Sequence, residues 1–499
     1  MSRRSPAAVL AVDVGSTATR GNLFDASGAP VAHRAKREHR FRTAGDGTSV
    51  IDPDAVADEV SAVIDELCAR ASSPIGGVAL DTFASSLVGV DADQQSLTPC
   101  FTYADGRCAP QLDALRAELG PAGEAAVQQR TGCRLHTSYL TARLRWLAET
   151  APEVTRRVHR WVSLGEYIHL RLVGTAAVGT STAAWTGMLD RRTGAWDAEL
   201  LALAGVGTDR FSTITDPDGP YRPAGAARDA VARRWPLLAD ARWFGVITDG
   251  LASNIGAGAA NGSTVALSAA TSGALRVLVT GIPDTVPSGL WCYRVDAGRC
   301  LLGGAVNDVG RVTSWLSETI ALGGRSLGEI AALEPDPGTP VLLPFLTGER
   351  STGWASRARA VWGDVTTATT GAALARAALE GVAITYRRIA EQLAEVTGHP
   401  RESATGGPAR IHASGRVLAD LPEFGAVLAD ALQVPVILVT DKRVTLRGTA
   451  LLALDTLAPG QARIAPTLGP ARAPRHEHAQ HYATLADRFE RLYRALIGT

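Results

Sequence analysis

Residues Ala8–Phe24, AVLAVDVGSTATRGNLF, decide the reading of the fold. Ala8 to Val14 is a short apolar strand, Gly15-Ser16-Thr17 a turn, and Thr19 to Phe24 a second strand. A second turn, Asp25-Ala26-Ser27-Gly28, leads to a third strand over Pro30 to Arg37, so short turns predict antiparallel neighbours. Asp52-Pro53 then opens a helix, Asp at the N-cap and Pro in the first turn, with Val56, Val60, Ile64 and Leu67 along one face. The same order returns in the second half. Thr264 to Ala269 is a strand, Thr271-Ser272-Gly273 a hydroxyl-rich turn, and Ala274 to Val279 a strand. A hairpin of Trp291 to Val295 and Cys300 to Leu302 precedes a helix over Val309 to Ile320. Each first turn is followed by an arginine, Arg20 or Arg276. An internal repeat at half-chain scale predicts two similar domains with two polar turns facing one cleft.

Outward from these repeats the chain is mainly helical. Leu140 to Leu147 and Leu164 to Val173 are apolar-periodic, and Asp216 to Gly219 with Pro223 marks a loop. The tail reads as helices over Gly371 to Val396 and Leu421 to Leu432, then a strand over Val434 to Thr440. A surface loop over Pro466 to Arg475 and an amphipathic helix over Ala479 to Leu496 complete it. The boundary is placed near Phe244 to Asp249. The expected organisation is an N-terminal domain over 6–246, a C-terminal domain over 247–460, and a packed loop and helix over 461–499.

Composition bounds the function. The chain has 499 residues, 46% hydrophobic and 20% charged, which suffices for two or three globular cores. Fifty basic residues balance fifty acidic ones, which argues against a general nucleic-acid or anionic-membrane binder. Lys36 and Lys442 are the only lysines and neither follows a glycine, so no Walker A loop is present. The cysteines Cys68, Cys100, Cys108, Cys133, Cys292 and Cys300 show no CxxC or Cys/His ligand spacing and read as free thiols. The apolar run after Met-Ser-Arg-Arg is broken by Asp13 without a signal-peptide cleavage site, and no run approaches the roughly 18 apolar residues of a membrane span. A soluble, cytoplasmic protein is expected.

Few residues stand out chemically. Asp13 ends a buried strand just before a Gly-Ser-Thr turn, where a carboxylate beside backbone N–H groups suits a metal-bound polyphosphate; the same residue also reads as a cap of the turn. Asp249 in Ile247-Thr248-Asp249-Gly250 stands where a strand meets a helix and could serve as general base toward a hydroxyl, although local pattern alone favours a helix N-cap. Gly303, Gly304, Asn307, Gly415 and Gly448 lie at element boundaries, and His136 reads as structural. Neither a GxSxG elbow nor a GxGxxG after a strand occurs.

Taken in order, Asp13-Val14-Gly15-Ser16-Thr17 with Arg20, Thr102 to Arg107, Asp249-Gly250 and Thr271-Ser272-Gly273 resemble the FGGY carbohydrate kinases from about Val9 to Leu454. Thr131 to His136, Thr186-Gly187-Met188 and Leu343 to Arg350 make the chain most similar to the gluconate kinases. The resemblance implies an α/β fold of two ribonuclease-H-like (actin/hexokinase-type) domains with an interdomain cleft. It also implies ATP and Mg²⁺ as cofactors, and transfer of the γ-phosphoryl group to a hydroxyl of a small sugar or sugar acid. By the same resemblance Asp249 is the catalytic base and Asp13 faces the metal. Gly15, Ser16, Thr17, Arg20, Thr271, Ser272 and Gly273 hold phosphates, and Gly303, Asn307 and Gly415 border the nucleotide. Ser85, Tyr103, Asp105 and Asp249 are placed at the sugar, with Arg107 beside Asp105. Partners are then the small-molecule substrate, with no nucleic acid and no membrane, and a homodimer is left open.

Departures from the family pattern are Ala270 for the first Gly of the second phosphate loop, Gly415-Arg416 for Gly-Gly, and Arg443 for a Glu. Ala84-Ser85 also replaces a Met-His pair beside the sugar, and Gly179 an Asp. Two alternatives to a gluconate-type kinase follow. One is a kinase for a ketose of the xylulose or ribulose type, or for a polyol. The other is a degenerate sugar- or nucleotide-binding module without efficient transfer.

Overall fold

A computed structural model describes residues 8–215, 219–397 and 410–497. The chain divides into two compact units, each holding an antiparallel strand pair flanked by a parallel strand, while the hairpin residues Cys292–Cys300 of the second predicted copy group with the first unit. The first comprises Met1–Gly256, Cys292–Cys300 and Arg443–Ala465, the second Ala257–Trp291, Leu301–Lys442 and Pro466–Thr499.

In the first unit, Val9–Val14 is buried along its whole length. It pairs antiparallel with Ala18–Phe24, which pairs antiparallel with Pro30–Glu38, as the two short turns require. On its other side Val9–Val14 pairs parallel with Gly77–Thr82, and that strand pairs parallel with Arg242–Trp243 and Ile247–Thr248. A strand buried on both faces needs a cover on each. One is Pro53–Arg70, whose N-cap Asp52 accepts from the Asp54 and Ala55 amides and which buries Val56, Val60, Ile64 and Leu67. The other is Val444–Leu457, which buries Leu446, Ala450 and Leu454.

That second helix explains where the units divide. Val444–Leu457 crosses Asp249–Gly256 backbone to backbone. A Cβ on Gly448 would lie 1.8 Å from the Ala252 carbonyl oxygen, and one on Gly256 would lie 1.8 Å from that of Val444. Both helices therefore group with the first unit, whereas the sequence reading assigned 247–460 to the second domain. The close packing expected of Gly256 is present. Gly258 lies beyond the helix at φ +79°.

In the second unit, Thr264–Ala269 pairs antiparallel with Gly273–Thr280 and parallel with Arg410–Ser414, which pairs parallel with Val436–Val439. A hairpin flanked by a parallel strand is thus the shared plan. The helix after Asn307 runs Gly310–Thr319, and the long helix Gly371–Thr397 buries Ala375 to Tyr386. The expected surface loop over Pro466 to Arg475 instead contains a strand, Leu468–Arg472, antiparallel to Val436–Val439. It is an edge strand, mostly exposed, where Pro470 breaks no central ladder and no alternation marks it. Most of the predicted loop at Asp216 to Gly219 lies outside the described residues. All six cysteines are free.

Candidate functional site

The first unit gathers three aspartates at the C-terminal ends of parallel strands. Asp13 is opposite Asp81 in register, and Asp81 is opposite Ile247, two residues before Asp249. Because paired positions on neighbouring strands project to the same face, Asp13 and Asp81 point the same way. Their carboxyls lie within hydrogen-bonding reach of each other, and Asp249 is close enough to influence Asp81. Asp81 is fully buried; its Oδ2 accepts from the Thr449 hydroxyl at 2.5 Å and its Oδ1 has no partner. Burial, then the negative charges of Asp13 and Asp249, hold Asp81 well above the usual carboxylate range. Burial raises Asp13 as well, against the pull of Arg20, whose Nη1 lies 3.6 Å from Asp13 Oδ2. Asp249 is half-buried at the first position of its helix, and the Trp185 ring packs against the adjoining Gly250.

The Gly15–Thr17 turn is held from beneath. Gly15 N–H donates to the Ala18 carbonyl at 3.1 Å, Arg20 Nη2 donates to Thr17 Oγ1 at 3.4 Å, and Ser16 and Thr17 are exposed. His39 clamps the turn, with Nε2 2.8 Å from the Gly15 carbonyl and Nδ1 2.7 Å from Glu59, which also accepts from Thr19 at 2.9 Å. Both ring nitrogens face acceptors, an arrangement only the imidazolium satisfies. Burial opposes that charge, but the bonds to Glu59 and Gly15 outweigh it and raise the pKa of His39. Arg443 also approaches Asp13: burial, then Arg34 and Arg20, depress its pKa, and its Nη1 is buried without an acceptor.

At the expected sugar positions, Ser85 is buried at φ +56°, its hydroxyl donating to the Trp185 carbonyl at 2.6 Å. Trp185 stacks on Tyr293 with centroids 3.9 Å apart. Tyr103 is exposed at the edge of a cluster with Phe41 and Phe83. Asp105, by contrast, is fully buried. It accepts from the Ser49 amide at 3.0 Å and from Arg107 Nε and Nη2 at 3.1 and 2.7 Å, while Arg107 lies over the Trp146 ring.

In the second unit, Ala270, Thr271 and Ser272 form an exposed turn closed by Ala270 N–H to the Ser272 carbonyl. The turn rests on the start of Gly310–Thr319, where Gly310 N–H donates to Ala270 and Val309 N–H to Thr271. Gly273 is needed for space, since a Cβ would meet the Tyr386 hydroxyl at 1.8 Å. Gly303 is buried inside the sheet, Asn307 Nδ2 donates to the Gly348 carbonyl at 2.9 Å, and Gly415 adopts φ +117° against the Ala269 backbone. Arg416 projects into solvent and pairs with Asp420 at 3.0 Å.

Asp13 and Asp249 are therefore neighbours of one buried acid, Asp81, within a single unit, and Arg20 pairs with Asp13. Asp249 lies in the same unit as Asp13, where its helix packs on Val444–Leu457. Asp81, Thr449, Trp185 and the His39–Glu59 clamp were not singled out in the sequence. Hard carboxylate oxygens, one buried and lacking a donor, suit Mg²⁺. Among the described residues no set of three or more His, Cys, Asp or Glu side chains could hold a metal alone. Such a donor set fits an ion that takes one or two carboxylates and completes its shell with phosphate and water.

Residues 8–256 match the N-terminal domain of the FGGY family of carbohydrate kinases and residues 265–456 its C-terminal domain. A gluconokinase of Bacillus licheniformis is 26% identical over 447 residues, covering 85% of each chain. Among solved structures, a gluconate kinase from Lactobacillus acidophilus superposes with TM-score 0.88 at 25% identity over 98% of each chain. A ligand-bound xylulose kinase from Lactobacillus acidophilus matches with the same TM-score, identity and coverage.

Proposed function

The chain belongs to the FGGY family of carbohydrate kinases, and on that premise we propose that it transfers the γ-phosphoryl group of ATP to a hydroxyl of a gluconate-type sugar acid. The grouping of Asp13, Asp81 and Asp249 at one strand-end edge, beside a clamped hydroxyl-rich turn, carries this reading.

Asp249 is the group that accepts the proton of the attacking hydroxyl. It stands at a helix start fixed by Trp185 and by the Gly256–Gly448 crossing, so its carboxylate is positioned by packing. General-base assistance of this kind contributes roughly 10²–10⁴ in rate. The Gly15–Thr17 turn with Arg20 orients phosphate oxygens, and the Thr271–Gly273 turn is a second phosphate-holding turn. Asp13 would hold Mg²⁺, and the ion would supply neutralisation of phosphate charge. Positioning and charge neutralisation, with little covalent work, are what phosphoryl transfer asks of a protein. Gly303, Asn307 and Gly415 border the nucleotide, and Ser85, Tyr103 and Asp105 surround the sugar, Asp105 as scaffold for the Arg107 loop. The reading places the enzyme in the cytoplasm with its ATP.

A ketose of the xylulose type is the second reading. Ser85 stands where many relatives have a longer polar side chain, its hydroxyl is already engaged by Trp185, and the gluconate kinase and xylulose kinase structures match with the same TM-score. Lost buried polar pairs change specificity steeply.

ADP release with Mg·ATP over gluconate, pentuloses, hexuloses and polyols, with Asp249→Asn in parallel, tests the proposal. Substrate-dependent turnover in the parent and a kcat loss of at least ~10² in the variant are expected. Equal turnover in both removes Asp249 as base. Absence of turnover, with heat stabilisation by a sugar, supports a binding module instead.

A further inference from the structure

We propose that Asp81 joins Asp13 in a two-carboxylate seat for a divalent cation, an assignment that rests on the kinase reading above. Asp81 is anchored on one side only. Thr449 donates to Oδ2, while Oδ1 is fully enclosed and meets no donor. A buried acceptor left without a donor is costly, and its acidic neighbours add to that cost. Beyond burial itself, Asp13 and Asp249 disfavour its charge and the Thr449 hydroxyl favours it. Arg20 serves Asp13, 3.6 Å from its Oδ2.

Register supplies the geometry for the seat. Asp13 and Asp81 are directly paired on adjacent parallel strands, which run about 4.8 Å apart. Side chains converging from such positions can each offer one oxygen about 3 Å from the other, the spacing of adjacent ligands around an ion bound at about 2.1 Å. Thr449 is supplied by Val444–Leu457, the helix that also packs on the Asp249 helix, so the orientation of Asp81 is coupled to the placement of the base. Magnesium sites that take carboxylates together with water and phosphate need no third protein ligand, which agrees with the lack of an all-protein cage among the described residues.

Mn²⁺ binding to the nucleotide-free, sugar-free protein tests the seat, measured by electron paramagnetic resonance and by the rise in Tm with added Mn²⁺. The parent, Asp81→Asn, Asp81→Ser and Thr449→Val are compared. Asp81→Asn keeps the shape and the acceptor for Thr449, so its metal-free Tm reports folding; Asp81→Ser is the alternative should the amide disturb the core. Both are expected to weaken Mn²⁺ by at least about tenfold, and Thr449→Val by less. The parent should gain Tm with metal where the Asp81 variants do not. Binding in either folded Asp81 variant equal to that of the parent overturns the proposal, as does a parent that binds no Mn²⁺ without nucleotide. Neither result bears on the kinase reading, which the ADP assay decides separately.

Discussion

His39→Ala should loosen the phosphate-binding turn in a pH-dependent way. In the parent, the imidazolium gives one charge-assisted bond to Glu59 at 2.7 Å and one to the Gly15 carbonyl at 2.8 Å. Bonds of the first kind are worth about 1.5–3 kcal/mol net and of the second about 1, so truncation costs roughly 3 kcal/mol at pH 6. For a unit of this size that lowers Tm by roughly 5 °C. His39 titrates above its ordinary value of 6.5 in the folded state because the bonds to Glu59 and Gly15 outweigh burial. Its charge-dependent stabilisation is therefore complete below 6.5 and disappears as pH climbs through the folded pKa. The Tm gap between parent and His39→Ala should be widest near pH 6 and narrow by pH 9, and the KM for ATP should rise in the variant. Scanning fluorimetry from pH 5.5 to 9 on both proteins reads this directly. A gap that stays constant or widens with pH would refute the imidazolium clamp.

Gly448→Ala places a methyl 1.8 Å from the Ala252 carbonyl, a clash with backbone that no side-chain rotation relieves; a loss of at least about 1–3 kcal/mol is expected by chemical denaturation, with kcat falling because the Asp249 helix shifts. Asp105→Asn removes the partner of Arg107 and should lower Tm while leaving the sugar KM within about threefold, since both carboxylate oxygens are engaged by Ser49 and Arg107. Tyr386→Phe strips the Ser268 carbonyl of its 2.7 Å donor beneath the Thr271–Gly273 turn, and should cost about 1–2 kcal/mol and raise the KM for ATP more than that for sugar. Arg416→Ala should leave ATP affinity unchanged, because the guanidinium faces solvent and pairs with Asp420.

Much of the fold is legible because its punctuation is local. Polar turns between apolar runs mark Val9–Val14, Ala18–Phe24 and Pro30–Glu38, and Asp52-Pro53 marks the helix that covers them. Gly77–Thr82 escapes such a reading: its apolar run is three residues long, and burial on both faces removes any alternation. Leu468–Arg472 escapes for the opposite cause, lying at an edge with little burial to pattern it. The grouping of Arg443–Ala465 with the first unit is a tertiary fact, written only in two glycines on separate helices, Gly256 and Gly448, that touch backbone to backbone.

The site shows the same divide. Asp13 is visible because a Gly-Ser-Thr turn follows it, and Asp249 because a glycine and a small-residue helix follow it; Asp81 is followed by Thr82-Phe83-Ala84, which carries no such mark. Yet the three share one signature, an apolar strand ending in aspartate: Val12-Asp13, Leu80-Asp81 and Ile247-Thr248-Asp249. Parallel pairing brings those ends to one edge, where side chains can converge on a ligand while the rest of each strand stays buried. Local propensity cannot place Asp81 there, because a buried acid opposes the burial that makes the strand. Only Thr449, supplied by the fold, donates to this carboxyl, Asp13 and Asp249 oppose its charge, and a residue kept against its own desolvation is a candidate for chemistry rather than packing.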